Sequence, residues 1–206
     1  MFVRVILKDS VEARYDRVAR FYDALMAFVE WFVSRDRRVL LRRAGTEILE
    51  VGVGTGSSFR DYPKGKRIVA VDISREMLSR AKAKTSNYAG NVSLRHEDVQ
   101  RLSFDDEAFD TVFASCVFCS VADPVQGLRE LHRVLRRGGR LLMVEHVRSK
   151  SRLLGNLMDH LNPFVSRYAV DNINRDTVDN LRKAGFNVEQ DKNLVCDVVK
   201  AIVAVK

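Results

Sequence analysis

The sequence contains little cysteine, proline or tryptophan, and it has no long apolar run. Among 206 residues there are 3 cysteines, 3 prolines and 1 tryptophan. Because a small, odd set of cysteines does not provide a disulfide framework, we expect a reducing, cytoplasmic environment. No apolar run reaches the roughly 20 residues of a membrane-spanning helix. The opening segment 1–7 is too short and too interrupted by charge for a signal peptide.

Two of the cysteines, Cys116 and Cys119, form an isolated C-x-x-C pair. A structural zinc site needs four ligands, and neither a second such pair nor a suitably spaced histidine accompanies this one. Thiols also pack as small apolar groups in or beside strands. We therefore expect packing roles for both cysteines and no metal site.

What the sequence does contain is positive charge and enough apolar residues for one core. There are 35 lysines and arginines against 27 acidic residues, which gives a formal charge of +8 and a pI near 9.6. This balance favours an anionic contact, such as phospholipid headgroups, nucleic acid or an acidic small molecule, although a basic soluble protein without such a contact fits it equally. With 46% hydrophobic residues, positions 1–206 suit a single α/β domain.

A strand-like run, residues 48–51, ends in three glycines at alternate positions, Gly52, Gly54 and Gly56. Glycine allows the backbone to turn sharply and to approach a ligand closely. The dinucleotide fingerprint Gly-x-Gly-x-x-Gly is not met, because the third glycine comes one place too early. Glu50 precedes the glycines, and a carboxylate there is unfavourable beside a pyrophosphate. It suits a ligand with cationic groups, such as the amino and sulfonium groups of S-adenosylmethionine.

Two carboxylates follow later strands at positions suited to a nucleoside. The strand predicted for 67–72 ends in Asp72, 20 residues after Gly52, which is the separation at which an acid meets ribose hydroxyls. A helix-capping role is the alternative for this aspartate. A third strand, 92–95, leads into a loop at the carboxyl edge of a parallel sheet. Asp98 in that loop is placed to accept a hydrogen bond from an adenine amino group.

The order of the predicted elements is that of a doubly wound α/β fold. Five strands alternate with helices, and two closing strands lie too near each other for a crossover helix, so they should pair antiparallel. The predicted strands cover 48–51, 67–72, 92–95, 109–115, 141–144, 186–190 and 198–205. The predicted helices cover 11–33, 57–62, a segment capped by Ser74, a segment from Asp123 to a stop at 136–139, 151–161 ended by Asn162-Pro163, and 177–184.

The N-terminal segment, about 9–45, is predicted to be a long amphipathic helix with a capping box of Asp9 and Glu12. It either packs on the core, closes as a lid over a pocket, or lies on a membrane surface. The arginine run that follows is either a solvated face or a phosphate-facing patch. Its members are Arg35, Arg37, Arg38, Arg42 and Arg43. The remaining segment, about 46–206, would form the cofactor-binding core.

Taken together, these segments resemble the ordered motifs of class I S-adenosylmethionine-dependent methyltransferases. Segment 15–23 is similar to ubiquinone/menaquinone-biosynthesis methyltransferases and their methyltransferase-type-11 relatives, and 117–121 with 145–147 look closest to phospholipid N-methyltransferase and thiol-methyltransferase branches. The resemblance implies a Rossmann-like, mostly parallel seven-stranded sheet with an antiparallel C-terminal strand, N-terminal lid helices, and S-adenosyl-L-methionine as cofactor. The motifs that carry it are 50–56, Asp72, 97–98, 109–112 and 133–139.

The resemblance also implies roles for single residues. The glycines would admit the methionine part of the cofactor, Asp72 would bind ribose, and Asp98 with Val99 would contact adenine. Glu50 would help to order the glycine loop and the amino group. The full set expected to contact the cofactor is Glu50, Gly52, Gly54, Thr55, Gly56, Asp72, Ile73, Met77, Asp98, Val99 and Ser115.

Methyl transfer from a sulfonium is a direct displacement, favoured by a dry pocket and by alignment of the reactants, so no metal is required. A general base is needed only for an acidic acceptor, such as a phenol, a quinol carbon or a thiol. His146, at the end of the fifth strand, is the first candidate for that base, with a structural role as the alternative. Tyr22 and Asp171 follow it.

The expected acceptor is a small apolar or lipid-like molecule, reached from an anionic membrane surface at the inner face. A phospholipid amine, a quinol precursor and a thiol all stay open. A nucleic-acid methyltransferase is disfavoured, because residues 115–118 lack the Asn/Asp-Pro-Pro-aromatic motif of exocyclic-amine enzymes. A non-catalytic cofactor-binding regulator is the other alternative, and the sequence assigns no oligomeric state.

Overall fold

Seven strands and five helices make up residues 10–169 and 172–206, which are the part of the chain that the structure, a computed structural model, describes. The strands are β1 Glu47–Val51, β2 Arg67–Asp72, β3 Asn91–His96, β4 Phe109–Ser115, β5 Leu135–His146, β6 Asn187–Val195 and β7 Val199–Val205. The helices are α1 Val11–Leu41, α2 Arg75–Lys84, α3 Pro124–Val134, α4 Arg152–Ala169 and α5 Thr177–Lys183. Two short 3₁₀ turns cover Ser57–Asp61 and Thr85–Asn87.

All seven strands belong to one sheet, in the order β3-β2-β1-β4-β5-β7-β6. Strands β1 to β5 are parallel to one another, whereas β7 runs antiparallel to both β5 and β6. The strand order reverses between β1 and β4, so the connections after them leave to opposite sides and open a crevice at their carboxyl ends. The predicted doubly wound sheet with an antiparallel C-terminal strand is confirmed.

The central strands are apolar on both faces because helices cover both sides of the sheet. One apolar cluster joins alternate residues of β1, β4 and β5 to α3 and α5, and the other joins the intervening residues to the last turns of α1 and to α2. Ile48 and Leu49 are neighbours in β1, yet they belong to opposite clusters, and both are fully buried. The sheet is therefore the middle layer of three, and its edges and loops are left for the ligand site.

α1 is one unbroken helix of 31 residues, which lies within the predicted helical segment of about 9–45. Ser10 caps it, because its hydroxyl oxygen accepts a hydrogen bond from the Ala13 N–H at 3.2 Å. The predicted capping residue Asp9 lies outside the described residues. The helix continues beyond residue 33 because its last turn buries Leu40 and Leu41 against the sheet.

The arginine run does not form a single solvated face or phosphate patch. Arg37 is only 1% exposed; its Nε donates to the Asp61 carboxylate at 2.7 Å, and its two terminal nitrogens donate to Glu30 at 3.0 and 2.8 Å. Arg38 also pairs with Asp61, at 2.9 Å. Two members of the run are thus used to hold the end of α1 against the turn Ser57–Asp61. The sequence shows the run of arginines, but it does not show that Arg37 is buried or that carboxylates from other parts of the chain pair with it.

Pro163 lies inside α4, so the predicted end of this helix at Asn162-Pro163 is wrong. A proline inside a helix removes one backbone hydrogen bond and can kink the helix, but the turns after it can still form. The Asn162 side chain has a tertiary role instead, since its oxygen accepts a hydrogen bond from the Ile173 N–H at 2.9 Å. α4 therefore continues for 18 residues and carries its apolar positions on past the proline.

The boundaries around β5 and β6 also differ from the prediction. β5 begins at Leu135, directly after α3, so the predicted helix stop at 136–139 falls within the strand. The pairing with β4 shifts there, and the extra residues bulge around Gly138, whose φ is 73°. β6 extends to Val195, beyond the predicted 190, because it pairs along almost all of β7.

Candidate active site

A cavity of about 770 Å³, including its open mouth, lies at the carboxyl ends of β1, β2 and β4. The first half of α1 covers it. The lining residues are Val11, Tyr15, Tyr22, Gly52, Gly54, Val71, Asp72, Ile73, Met77, Glu97, Asp98, Val99, Gln100, Ser115, Cys116, Val117, Ser120, Val121 and Ala122.

The three motif glycines all have positive φ, at 61°, 55° and 76°, but they serve different contacts. A Cβ on Gly52 would lie 2.4 Å from a methyl group of Val117, so only glycine fits beside the loop after β4. No heavy atom lies within 4 Å of a Cβ built on Gly54, which lines the cavity. Gly56 is not among the lining residues; it packs against Phe59. The missing side chain of Gly54 therefore keeps space open for a ligand.

Asp72 lies at the end of β2, is 8% exposed and lines the cavity as predicted. One carboxylate oxygen accepts a hydrogen bond from the Gly54 N–H at 2.8 Å, and the other from the Ser74 N–H at 2.9 Å. Burial raises the pKa of this carboxyl, while the two N–H groups oppose that effect. The carboxylate thus ties the glycine loop to the start of α2 and lines the cavity.

The loop after β3 forms the far end of the cavity. Asp98 and Val99 both line it, as do Ile73, Met77 and Ser115, which were predicted with them. An Asp98 oxygen accepts from the Gln100 N–H at 2.9 Å, which closes a tight turn and fixes the direction of the carboxylate. The geometry brings these five predicted residues together around one space.

Glu50 and Thr55 are not among the lining residues. The carboxylate of Glu50 is 3% exposed and accepts from the Ser58 hydroxyl at 2.5 Å and the Tyr62 hydroxyl at 3.0 Å. It therefore orders the turn that follows the glycine loop. The Thr55 hydroxyl donates to Asp23 of α1 at 2.5 Å. In this structure both side chains therefore bind neighbouring protein groups and do not line the cavity.

Replacing Glu50 by glutamine should remove part of the pH dependence of stability. Burial raises the pKa of Glu50 to about 7, against the hydrogen bonds from Ser58 and Tyr62, which favour the carboxylate. Because the folded pKa exceeds the unfolded value of about 4.3, this group's stabilisation is fully present below the unfolded pKa and is lost as the pH rises through about 7. The free energy lost is on the order of 3 kcal/mol.

The measurement is urea unfolding of the wild type and Glu50→Gln at intervals from pH 5 to pH 8. The unfolding free energy of the wild type should fall relative to that of the variant over this range, since the amide stays neutral throughout. A difference between the two proteins that does not vary with pH would contradict the assignment of the raised pKa to Glu50.

The first candidate for a base, His146, is not among the residues that line the cavity. It ends β5, where it pairs with Val199 of β7. Tyr22 does line the cavity, and Asp171 lies outside the described residues. Tyr15 was missed; its ring packs edge-to-face on that of Tyr22, with centroids 6.4 Å apart. The signal for Tyr15 was its seven-residue separation from Tyr22, which places both on one helical face.

Glu145 is a second residue that sequence reasoning missed. It is fully buried at the end of β5, and one carboxylate oxygen accepts from the Val117 N–H at 2.9 Å and the Phe118 N–H at 3.3 Å. These bonds shape the loop after β4, which forms one wall of the cavity. Cys116 lines that wall, and Cys119 is buried beside it. Glu145 therefore fixes the backbone of this wall at Val117 and Phe118.

The chain is similar in sequence to known methyltransferases. Residues 49–143 match the family model described as a methyltransferase domain. A phosphatidylethanolamine N-methyltransferase from Cereibacter sphaeroides is 36% identical over 140 residues, which cover 67% of this chain and 68% of the relative. A ubiquinone/menaquinone biosynthesis C-methyltransferase from Geobacter sp. is 30% identical over 148 residues; the match spans 63% of that relative, slightly less than two thirds of its length.

Solved structures share the fold. An S-adenosylmethionine-dependent methyltransferase from Thermotoga maritima matches with a TM-score of 0.71 at 21% identity, over 96% of this chain and 100% of the other. A chain of the complex between the Haloferax volcanii Trm112 methyltransferase activator and a methyltransferase matches with a TM-score of 0.72 at 20% identity, over 93% and 96% of the two chains.

The sheet order and the glycine loop beside Asp72 define a class I methyltransferase fold. This chain belongs to the family of class I S-adenosylmethionine-dependent methyltransferases, among relatives that act in phospholipid and quinone methylation. Its cofactor is S-adenosyl-L-methionine, and the residues present fit it: open space over Gly54, a carboxylate at Asp72 and another at Asp98. When bound, the cofactor supplies an activated methyl group on sulfur.

Over the described ranges, 10–169 and 172–206, no helix combines the length and the apolar character that crossing a bilayer requires.

Proposed function

We propose that this methyltransferase acts on a lipid-like acceptor at an anionic membrane surface. The acceptor atom is the amine nitrogen of a phospholipid headgroup. The observation that carries the proposal is a pair of exposed apolar stripes, on α1 and α4, beside the cavity. The phospholipid relative from Cereibacter sphaeroides supports the choice of an amine. A quinol precursor is the second candidate, because several quinone methyltransferases are similar at about 30% identity.

The stripe on α1 uses a different face of the helix from the one that covers the cavity. Its large apolar side chains are between 41% and 71% exposed, whereas Tyr15 and Tyr22 point to the cavity. Exposed arginines lie on the neighbouring strip of the helix. The apolar residues are Val18, Phe21, Leu25 and Val39, and the arginines are Arg20, Arg35 and Arg42. An apolar stripe flanked by arginines is the pattern of a helix that lies on anionic lipid.

The stripe on α4 continues through Pro163. Leu153, Leu157, Leu161 and Phe164 are between 46% and 87% exposed and recur at three- and four-residue steps. The segment after α4 contacts the cavity wall, since the Asn172 N–H donates to the Cys119 carbonyl at 2.9 Å. α4 also approaches the start of α1, where Arg14 donates to the Ser166 carbonyl at 3.4 Å. The α1 stripe therefore belongs to a helix that lines the cavity, and the α4 stripe to a helix that contacts α1.

An amine acceptor fits the chemistry of the cavity. The nitrogen lone pair forms the new bond to the methyl carbon as the carbon–sulfur bond breaks, and an amine that arrives as its free base needs no general base. The described lining residues include no histidine. What the chain contributes is alignment and exclusion of water, through the tyrosines of α1 and the apolar residues Val117 and Val121. For a quinol precursor, Tyr22 is the candidate base.

Binding to vesicles tests the membrane part of the proposal. The wild type should co-sediment with vesicles of phosphatidylethanolamine and phosphatidylglycerol at low salt and be released at high salt. The triple change Arg20→Gln, Arg35→Gln, Arg42→Gln should weaken binding by about 100-fold, because each arginine contributes about 1 kcal/mol near an anionic surface. The charge-matched control, Lys64→Gln with Arg129→Gln and Arg182→Gln, changes exposed residues outside α1 and should bind nearly as well as the wild type.

Phe164→Glu tests the stripe on α4 in the same assay. Phe164 is 68% exposed, so the change should weaken vesicle binding without lowering the melting temperature. Val195→Glu, at an exposed apolar position of β6, is the matched control.

Transfer of a labelled methyl group tests the acceptor. With methyl-labelled cofactor and wild-type protein, the label should appear in phosphatidylethanolamine. Label in an added quinol precursor alone would favour the second candidate, and no binding to anionic vesicles would leave a soluble acceptor as the better proposal.

A further inference from the structure

A repeated pattern on α1 is not explained by acceptor binding. The dipeptide Tyr-Asp occurs at 15–16 and again at 22–23, and acidic Glu30 continues the seven-residue spacing of the aspartates. Seven residues are close to two helical turns, so Asp16, Asp23 and Glu30 share one face. The tyrosines occupy the adjacent strip and line the cavity.

Each of these three carboxylates accepts a hydrogen bond from a hydroxyl near the cofactor site. Asp16 accepts from Ser74 at 2.5 Å, at the start of α2. Asp23 accepts from Thr55 at 2.5 Å, between the second and third motif glycines. Glu30 accepts from the Ser57 hydroxyl, one residue after the glycine motif, at 3.0 Å. We refer to the pairs Asp16–Ser74, Asp23–Thr55 and Glu30–Ser57 as the carboxylate ladder.

The ladder reaches the residues that hold the cofactor. The Ser74 N–H donates to Asp72 at 2.9 Å, so Asp16 is two hydrogen bonds from the carboxylate that adjoins the ribose position. Thr55 directly follows Gly54, whose N–H donates to the other oxygen of Asp72. Lys84 of α2 donates to Asp23 at 2.7 Å. The Lys84 and Thr55 bonds lower the pKa of Asp23 against the effect of partial burial.

The described side chains in the first half of α1 contribute little to the core. Of the side chains described between residues 11 and 32, Ala19 alone is buried. The second half differs, because Val33, Leu40 and Leu41 are buried in the core and Arg37 is buried in its ion pairs. The helix is therefore anchored at its C-terminal end and attached over the cavity by polar contacts, which can exchange with water at small cost.

We propose that Asp16 and Asp23 are positioning residues that hold α1 closed over the bound cofactor, and that cofactor exchange requires their hydrogen bonds to Ser74 and Thr55 to open. The closed helix places Tyr15 and Tyr22 over the cavity, while the aspartates fix the two loops that hold Asp72. The proposal rests on the cofactor of the family and on the cavity assignment. It does not depend on the acceptor, so its test uses cofactor binding alone.

The test is the dissociation rate of S-adenosylhomocysteine, the demethylated product, from the full chain in stopped flow. Asp16→Ala and Asp23→Ala should each raise this rate by about tenfold, since each loses a hydrogen bond to a charged acceptor. The association rate should rise as well, because the bonds are also closed in the empty cavity and entry requires them to open. Asp36→Ala is the matched control: this aspartate lies on the same helix but pairs with Lys192 of β6 at 3.6 Å, and its change should leave the rate as in the wild type.

Two further measurements separate positioning from general stabilisation. Asp16→Asn should recover much of the slow dissociation, because an amide oxygen still accepts from Ser74. Asp16→Ala and Ser74→Ala should also be non-additive when combined. The proposal is overturned if both alanine variants release the product as slowly as the wild type and Asp36→Ala. Asp23→Ala keeps the test decisive if loss of Asp16 prevents folding, because the hydrogen bonds of Asp23 are to Thr55 and to Lys84 at the end of α2.

Discussion

Gly54→Val should abolish measurable binding of S-adenosylmethionine, a loss of at least about 100-fold, while the protein still folds. The φ of Gly54 is 55°, and a Cβ there meets no heavy atom within 4 Å, because it projects into the cavity. A branched side chain would fill the space that the cofactor's methionine part needs. Positive φ also strains valine, at a cost of about 1–2 kcal/mol, which a chain of this size tolerates.

Isothermal calorimetry with S-adenosylmethionine and its demethylated product measures this loss. Gly65→Val is a closely matched control, because Gly65 has a φ of 79°, an equally open Cβ position and no part in the cavity. It should show the same small fall in melting temperature and unchanged binding. Binding by Gly54→Val at wild-type affinity would mean that the methionine part lies elsewhere.

Arg37→Met should lower the free energy of unfolding by about 3 kcal/mol, because it removes the buried cation of Asp61 and leaves that carboxylate with only the exposed Arg38. Asp61 has no exposed side-chain surface, and Arg37 is its buried partner at 2.6 Å. Burial disfavours the guanidinium charge, but the hydrogen bonds and charges of Glu30 and Asp61 outweigh it and raise the pKa of Arg37. The arginine therefore stays charged, and its loss is a loss of stability.

Urea unfolding at neutral pH measures the change. Arg38→Met is the matched control, since Arg38 pairs with the same Asp61 but is 55% exposed, and its loss should cost less than about 1 kcal/mol. Adding Asp61→Asn to Arg37→Met should recover part of the stability, because the buried negative charge is then gone. A loss below 1 kcal/mol for Arg37→Met would show that Glu30 and Asp61 are accommodated without it.

The buried ion pairs also decide which arginines can serve a membrane contact. Arg37 and Arg38 hold α1 to the turn Ser57–Asp61, so changing them would disturb the fold as well as any lipid contact. Arg20, Arg35 and Arg42 are exposed beside the apolar stripe and can be changed with less risk. A run of charges along the chain thus contains members with two separate roles, and their burial tells them apart.

Features that depend on neighbours along the chain could be predicted from the sequence alone. The run 48–51 followed by alternate glycines predicted the strand and loop of β1, and the spacing from Gly52 to Asp72 predicted an acid beside it. Parallel strands bring their carboxyl ends to one edge, so Asp98 could be assigned to the crevice in advance, whereas Ser115 was expected there from the family resemblance. The doubly wound sheet followed from the alternation of strands and helices.

Features that depend on which side chains meet across the fold required the tertiary structure. His146 and Glu145 are adjacent in β5 and point to opposite faces, so the histidine is absent from the cavity lining while the glutamate shapes its wall. The partners of Asp16, Asp23 and Arg37 lie 58, 32 and 24 residues away along the chain. A hydrogen bond or buried ion pair leaves no periodic pattern in the sequence, because its energy depends on distance and burial. For this chain, local periodicity determined the elements and the cofactor loop, whereas packing decided what holds the helix above it.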